Sequence, residues 1–341
     1  MLRRQSKSCG PASTITRCRL LLLIVSVWLG SWALTACGDS KDVIIKTAAG
    51  VELTADDIDR DPLALLPGGA IGVARIDAQA LFRSAFGMRL VQLAQSRAPV
   101  PPSAGFVPER DLFWAYVGFY SMQGADFAGV ATGQFDPEAI KRAADGTQQT
   151  PLGAPLVRTE YAGRVLYTAA NIGFTVLTRR TALFGNETGI RRALDRIAEG
   201  RVQNELGQWA MEVIADPKAP MAGVADFTTQ PLVSSANQSL PFLNGLQRGR
   251  VLGNFEPPGV NFAGTLSYPD PNTATQAEAS IQRFRSQVAS LGFLATLLGI
   301  GQPIQKLDTR VVGSDTQFVL GLEGDVVAKL LDRLANQWTS Q

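Results

Sequence analysis

The chain has 341 residues, 45% of them hydrophobic and 18% charged, with 32 basic and 30 acidic residues for a formal charge of +2. That is enough chain for one large domain or two ordinary ones, each with its own core. It contains three cysteines and no histidine, which excludes Ser-His-Asp and Cys-His catalysis, imidazole zinc sites and a histidine pH switch.

Residues 1–19 carry Arg3, Arg4, Lys7, Arg17 and Arg19 and no acid, and Leu20–Ala36 then run without a charge. A basic stretch, an apolar stretch and small residues at the exit make a secretory signal, with 1–36 removed on export. Arg3-Arg4 is followed by Gln5-Ser6-Lys7 rather than by the apolar pair of twin-arginine signals, which points to the general secretory route. Without those 36 residues 27 basic residues face 30 acidic ones, a net charge of −3. A weakly acidic body gives no support to nucleic-acid binding.

The apolar run ends in Leu34-Thr35-Ala36-Cys37, followed by Gly38. This tetrapeptide resembles the lipobox of bacterial lipoproteins. The resemblance implies acylation of Cys37, which would become the first residue and hold the protein to membrane lipid. Two or three acyl chains anchor stably where one does not. In enteric bacteria an aspartate directly after that cysteine retains the protein in the inner membrane. Gly38 stands there instead, with Asp39 one residue later, so the expectation is the outer membrane. Cys9 and Cys18 leave with the signal, and the body has neither disulfide nor redox chemistry.

Residues 37–66 read as a tether and a short hairpin around Ala49-Gly50, with Thr54 as a helix N-cap. Asp57, Asp59 and Asp61 begin like a calcium loop. The sixth position is Pro62 where glycine is needed and the twelfth is Gly68 where a bidentate glutamate is needed, which argues against calcium.

The remainder reads as two tandem copies of an α+β unit, 67–202 and 203–341. The first copy starts with a strand at 70–77 and a helix at 78–96. A proline-rich loop (Pro99, Pro101, Pro102, Pro108) leads to strands at 111–120 and 126–135. Asp136-Pro137 then starts a helix that ends near Gly146. A hairpin at Ala162-Gly163, a strand at 173–185 and a helix at 188–199 with Gly200 as its stop complete the copy. In the second copy, a strand at 221–228 carries Gly223-Val224-Ala225 to match Gly72-Val73-Ala74. Phe262-Ala263-Gly264 and Asp270-Pro271 match Phe127-Ala128-Gly129 and Asp136-Pro137. Leu331-Asp332-Arg333-Leu334 matches Leu194-Asp195-Arg196-Ile197. Repeated order with drifting offsets is the mark of a duplication. Alternating strands joined by short turns predict mainly antiparallel sheets with helices on one face. The segment Gly105-Phe106-Val107-Pro108-Glu109-Arg110-Asp111 and the start Phe135-Asp136-Pro137 also resemble duplicated lipoproteins of the bacterial envelope, a likeness that brings no activity with it.

Motifs for catalysis are missing. G-x-S-x-G, S-x-x-K after residue 36, H-E-x-x-H and the phosphate loops do not occur, and Gly68-Gly69-Ala70-Ile71-Gly72 lacks the dinucleotide spacing. Most acids sit at helix starts (Asp136, Asp270, Asp325) or on outer helix faces (Asp195, Glu199, Asp332), where capping and solvation account for them. Two features remain that bear on binding. Trp114, Tyr116 and Tyr120 share one face of a strand, with Phe113 and Phe119 on the other. The helix at 273–300 carries an apolar stripe and ends in a segment apolar all round, including Leu291, Phe293, Leu294, Leu297 and Leu298. These two sets are the candidate walls of a hydrophobic groove, against core burial as the plainer alternative. The expected function is a lipid-anchored, non-catalytic binding or assembly module of the cell envelope, with a protein partner and no cofactor or metal. A carrier or sensor of a lipophilic ligand comes second and a carboxylate-dependent hydrolase third.

Overall fold

The computed structural model describes residues 45–47, 50, 52–97, 102–121, 126–147, 149–150, 153–232, 238, 240–297 and 302–339. Residues 1–36, expected to be a secretory signal, and Cys37 lie outside the described residues. The body from Val43 to Gln341 is one compact unit.

It opens with two short antiparallel strands, β1 (Ile45–Lys46) and β2 (Glu52–Leu53). Helix α1 (Ala55–Asp59) follows, started by a capping box in which Thr54 and Asp57 satisfy each other's backbone N–H groups. Strand β3 (Gly72–Asp77) leads into α2 (Ala78–Phe82) and α3 (Gly87–Arg97). The single helix predicted over 78–96 is therefore broken. Its break falls at Ser84, whose hydroxyl donates to the carbonyl of Leu81 at 2.6 Å, and at Gly87, where a side chain would collide with the Phe82 carbonyl. Next come the one-turn helix α4 (Pro108–Asp111), β4 (Leu112–Ser121), β5 (Asp126–Gly133) and α5 (Pro137–Asp145). As the sequence indicates, Asp136 caps α5 by accepting from the N–H of Ala139 at 3.0 Å.

Strands β6 (Val157–Tyr161), β7 (Arg164–Ala169), β8 (Ile172–Val176) and β9 (Thr181–Asn186) form a meander, closed by α6 (Glu187–Ala198). The one strand predicted over 173–185 is two. Thr178 turns the chain by accepting from the N–H groups of Arg180 and Thr181, and both threonine hydroxyls donate to Asp59 at 2.6 Å. The second half holds α7 (Gln208–Ile214), which the sequence reading did not foresee, then β10 (Met221–Asp226), β11 (Arg248–Asn254) and β12 (Gly259–Ser267). The long helix α8 (Pro271–Leu297), the hairpin β13 (Ile304–Val312) and β14 (Asp315–Glu323), and α9 (Gly324–Thr339) complete it.

Twelve strands make one sheet in the order β13-β14-β12-β11-β10-β3-β4-β5-β9-β8-β7-β6, every neighbouring pair antiparallel. The fold is thus α+β with a mainly antiparallel sheet. Its halves meet where β10 pairs β3, with Val224 opposite Val73. Outward from that seam each half has its first three strands in chain order and then its last strand, with the remaining strands of that half running back in reverse.

Helices cover both faces of the sheet, not one. On β5, Val130 packs with Ile190, Leu194 and Ile197 of α6, whereas the next residue, Ala131, packs with Ile140 and Ala143 of α5. Neighbouring strand residues point to opposite sides, so α5 and α6 flank the sheet. The reason is legible in hindsight: β5 is apolar at successive positions, and a strand buried on both faces needs a layer on each. We call the α6 side, which carries Val73 and Val224, the back, and the α5 side the front. Helix α7 joins α6 on the back through Ala210, Val213 and Ile214. Helix α8 lies on the front of the outermost strands, where Gln282 donates to Thr309 Oγ1 at 2.6 Å and Thr316 Oγ1 donates to the Ala274 carbonyl at 3.0 Å.

Candidate functional site: an apolar trough on the sheet

Between the α5 and α8 layers the described residues leave a groove on the front of the sheet. Gly72 of β3, Gly223 of β10 and Gly249 of β11 place bare backbone side by side there, because Gly223 pairs across to Val251 and Ala225 to both Gly72 and Gly249. Phe119 of β4 stands on one side, 44% exposed, and Phe262 and Phe318 of β12 and β14 on the other. The result is a groove of about 520 Å³ floored by main chain and walled by apolar side chains. Arg250 contributes backbone to it but opposes Val224, so its side chain turns to the back.

The two predicted groove walls are not brought together. Trp114, Tyr116 and Tyr120 face the back of the sheet, the side opposite the trough. The Arg75 guanidinium lies 4.9 Å from the Trp114 ring, Tyr116 packs on the main core, and Arg192 covers the buried ring of Tyr120 at 4.6 Å. Burial pushes the phenols of Tyr116 and Tyr120 above their ordinary range, which keeps them neutral. Helix α8 packs on β13 and β14, and β14 is five strands from β4 in the sheet. The side chains of Leu291, Phe293, Leu294 and Leu297, and Leu298 altogether, lie outside the described residues. The wall that faces the trough is Phe119, the residue the alternation put on the other face of the same strand.

Three other candidate clusters have local structural roles. Asp57 caps α1, Asp59 holds Thr178 and Thr181, and Asp61 caps the turn at Pro62–Leu65 through the N–H of Leu63. The glycine run 68–72 borders a cavity of about 190 Å³ that also meets Glu205 and Asp226, an acidic setting that disfavours phosphate. Of the acids with catalytic potential, Asp136 and Asp270 cap helices, Asp195 accepts from the Tyr161 hydroxyl at 2.9 Å, and Asp332 pairs with Arg89 at 3.5 Å.

Residues 105–111 form a clasp. Asp111, 5% exposed, accepts from the N–H of Val107 at 2.8 Å and from Arg110 Nε at 2.6 Å, while Arg110 also donates to the Gly105 carbonyl at 3.1 Å. The Arg110 hydrogen bond is the main influence that holds the Asp111 carboxyl below its ordinary range, with burial opposing it. A depressed folded pKa means stability present above the unfolded value and lost as pH falls through the folded one. Asp111→Asn is therefore expected to lower stability by about 1 kcal/mol near neutral pH. The difference should vanish in acid, which urea unfolding of both proteins across the carboxylate range would check.

What sequence reasoning missed is a set of arginines that tie the layers together. Arg75 donates to the carbonyls of Asp216 and Ala219, the latter at 2.7 Å. Arg192 donates to Asp126 at 3.0 Å, and the buried Arg196 pairs with Glu205 and donates to the Gln203 carbonyl at 2.8 Å. Only Arg75, inside the apolar run 72–76, stands out in the sequence; Arg192 and Arg196 sit beside Arg191 and Asp195 in an ordinary amphipathic helix.

No protein-family model matches the sequence, and no curated protein matches it. Among solved structures, crystal form III of TP0453, a bacterial (Treponema) envelope protein, superposes with a TM-score of 0.51 at 10% identity, over 80% of this chain and 97% of that one. The chain shares the fold of TP0453. Crystal forms I and IV of TP0453 match with TM-scores of 0.48 and 0.45, at 10% and 12% identity. Among the described residues no helix is long and apolar enough to cross a membrane.

Proposed function

We propose that this chain is an exported envelope protein, lipid-anchored through Cys37, whose folded body is a non-catalytic binding module. The apolar trough at the centre of the sheet carries this reading, because among the described residues it is a contiguous apolar surface of the kind that marks an interaction site. The sequence Leu34-Thr35-Ala36-Cys37 and the shared fold with an envelope protein support the anchor and the compartment. Gly38 after the cysteine favours the outer membrane.

The body is built from two copies of one unit. Val73 and Val224 occupy matching positions in the two copies and face each other across the seam, as a two-fold arrangement requires. A second correspondence lies farther out: Gly129 pairs Phe184, Gly264 pairs Phe318, and in both cases the ring lies over the glycine. Such aromatic cover of a strand glycine is a specific packing device, and its recurrence at matched positions supports duplication.

The second reading, a carrier of a lipophilic ligand, is favoured over a protein scaffold by the all-apolar lining of the trough. Intact-mass measurement of membrane-extracted protein tests the anchor. Wild type is expected to begin at residue 37 with added acyl mass, and Cys37→Ala to keep residues 1–36 and carry none. A wild-type protein that retains residues 1–36 without acyl mass would overturn it.

A further inference from the structure

The trough is chemically selective in a way that identifies its occupant. Strands β3, β10 and β11 are each paired on both sides, so the backbone of the floor offers no free donor or acceptor. A peptide laid on it would leave its own amides without partners, at a cost in free energy, and no edge exists there for it to extend. A headgroup or sugar would lose its hydration for nothing in return. An alkyl chain loses no hydrogen bond on entry. The volume, about 520 Å³, falls within the range of small-molecule sites. Glycine at positions 72, 223 and 249 lets a flexible chain lie against the sheet itself, between Phe119 and the pair Phe262 and Phe318.

We propose that the trough binds one acyl chain of a monomeric lipid, its hydrocarbon lying across the glycine floor and its polar end left in water. This rests on the reading of the body as a binding module and names the ligand class.

The test uses the chain from Val43 onward, which is the compact unit and contains all three hydrophobic cores. Parinaric acid, a fluorescent long-chain fatty acid, is titrated into this protein and into Gly249→Leu. A Cβ at residue 249 meets only Leu266, at 3.7 Å, so the backbone there accepts a side chain, and that side chain points into the trough. Saturable binding by wild type, weakened about tenfold or more in the variant at an unchanged unfolding midpoint, is the expected result. Ala74→Leu, on the same floor, should weaken binding alike and serves if Gly249→Leu fails to fold. No saturable binding by wild type, or equal binding by folded variants, overturns the proposal. Organic extraction of the full-length protein with mass spectrometry then separates free fatty acid from phospholipid as the source. The covalent anchor stays behind in that extraction, and a failed anchor would appear in the intact mass while leaving the titration unaffected.

Discussion

Leu194→Ala is expected to destabilise the body by about 3 kcal/mol. Leu194 is 1% exposed, between Ile190 and Ile197 on the inner stripe of α6, which are 0% and 1% exposed. The stripe is enclosed on two sides: Val130 and Leu183 of the sheet lie beneath it, and Ile58 and Leu65 of the N-terminal segment belong to the same cluster. A site held from two directions collapses poorly, so the lost transfer free energy is joined by most of the cavity term. Urea unfolding should show a lower midpoint with an unchanged slope. A loss under about 1 kcal/mol would mean that this cluster is not packed as described.

Arg75→Ala should have an effect of similar size, for a different reason. Arg75 is 6% exposed on the central strand β3, and the carbonyls it serves, Asp216 and Ala219, follow the C-terminus of α7. A cation there satisfies acceptors and meets the negative end of the helix. Alanine leaves both carbonyls without Arg75 and uncovers the Trp114 ring, at a cost of about 2–4 kcal/mol. Lysine keeps the charge but not the flat group that stacks on the indole, so Arg75→Lys should recover less than half of the loss. Unfolding followed by tryptophan fluorescence reads both. Full recovery by lysine would show that charge alone matters.

The difference between what was legible in the sequence and what was not follows the range of the interactions. Thr54, Asp136 and Asp270 are visible as helix starts because a cap is made within four residues. The paired triplets Gly72-Val73-Ala74 and Gly223-Val224-Ala225 are visible as matching strands. The break at Gly87 is set by a carbonyl five residues away that nothing in the pattern marks. The turn at Thr178 is held by Asp59, more than a hundred positions earlier. On β4 the alternation separates Trp114, Tyr116 and Tyr120 from Phe119, yet it does not say which set faces helices. Large aromatics drew attention to the covered side. The trough is made chiefly of glycines, and in a sequence a missing side chain looks like a turn rather than a site.

The seam between β3 and β10 has a consequence for how the molecule is made. Val73 must wait for Val224, 151 positions later, before its strand is paired on both sides. If the chain is exported N-terminus first, the N-terminal half can form its meander and seat α6 as it emerges, but it holds β3 as a bare edge until β10 follows. Bare edges recruit other strands, and contacts this distant in sequence close slowly. A fragment ending before residue 221 would keep that edge permanently, so truncation there should yield aggregates rather than a half-sized domain.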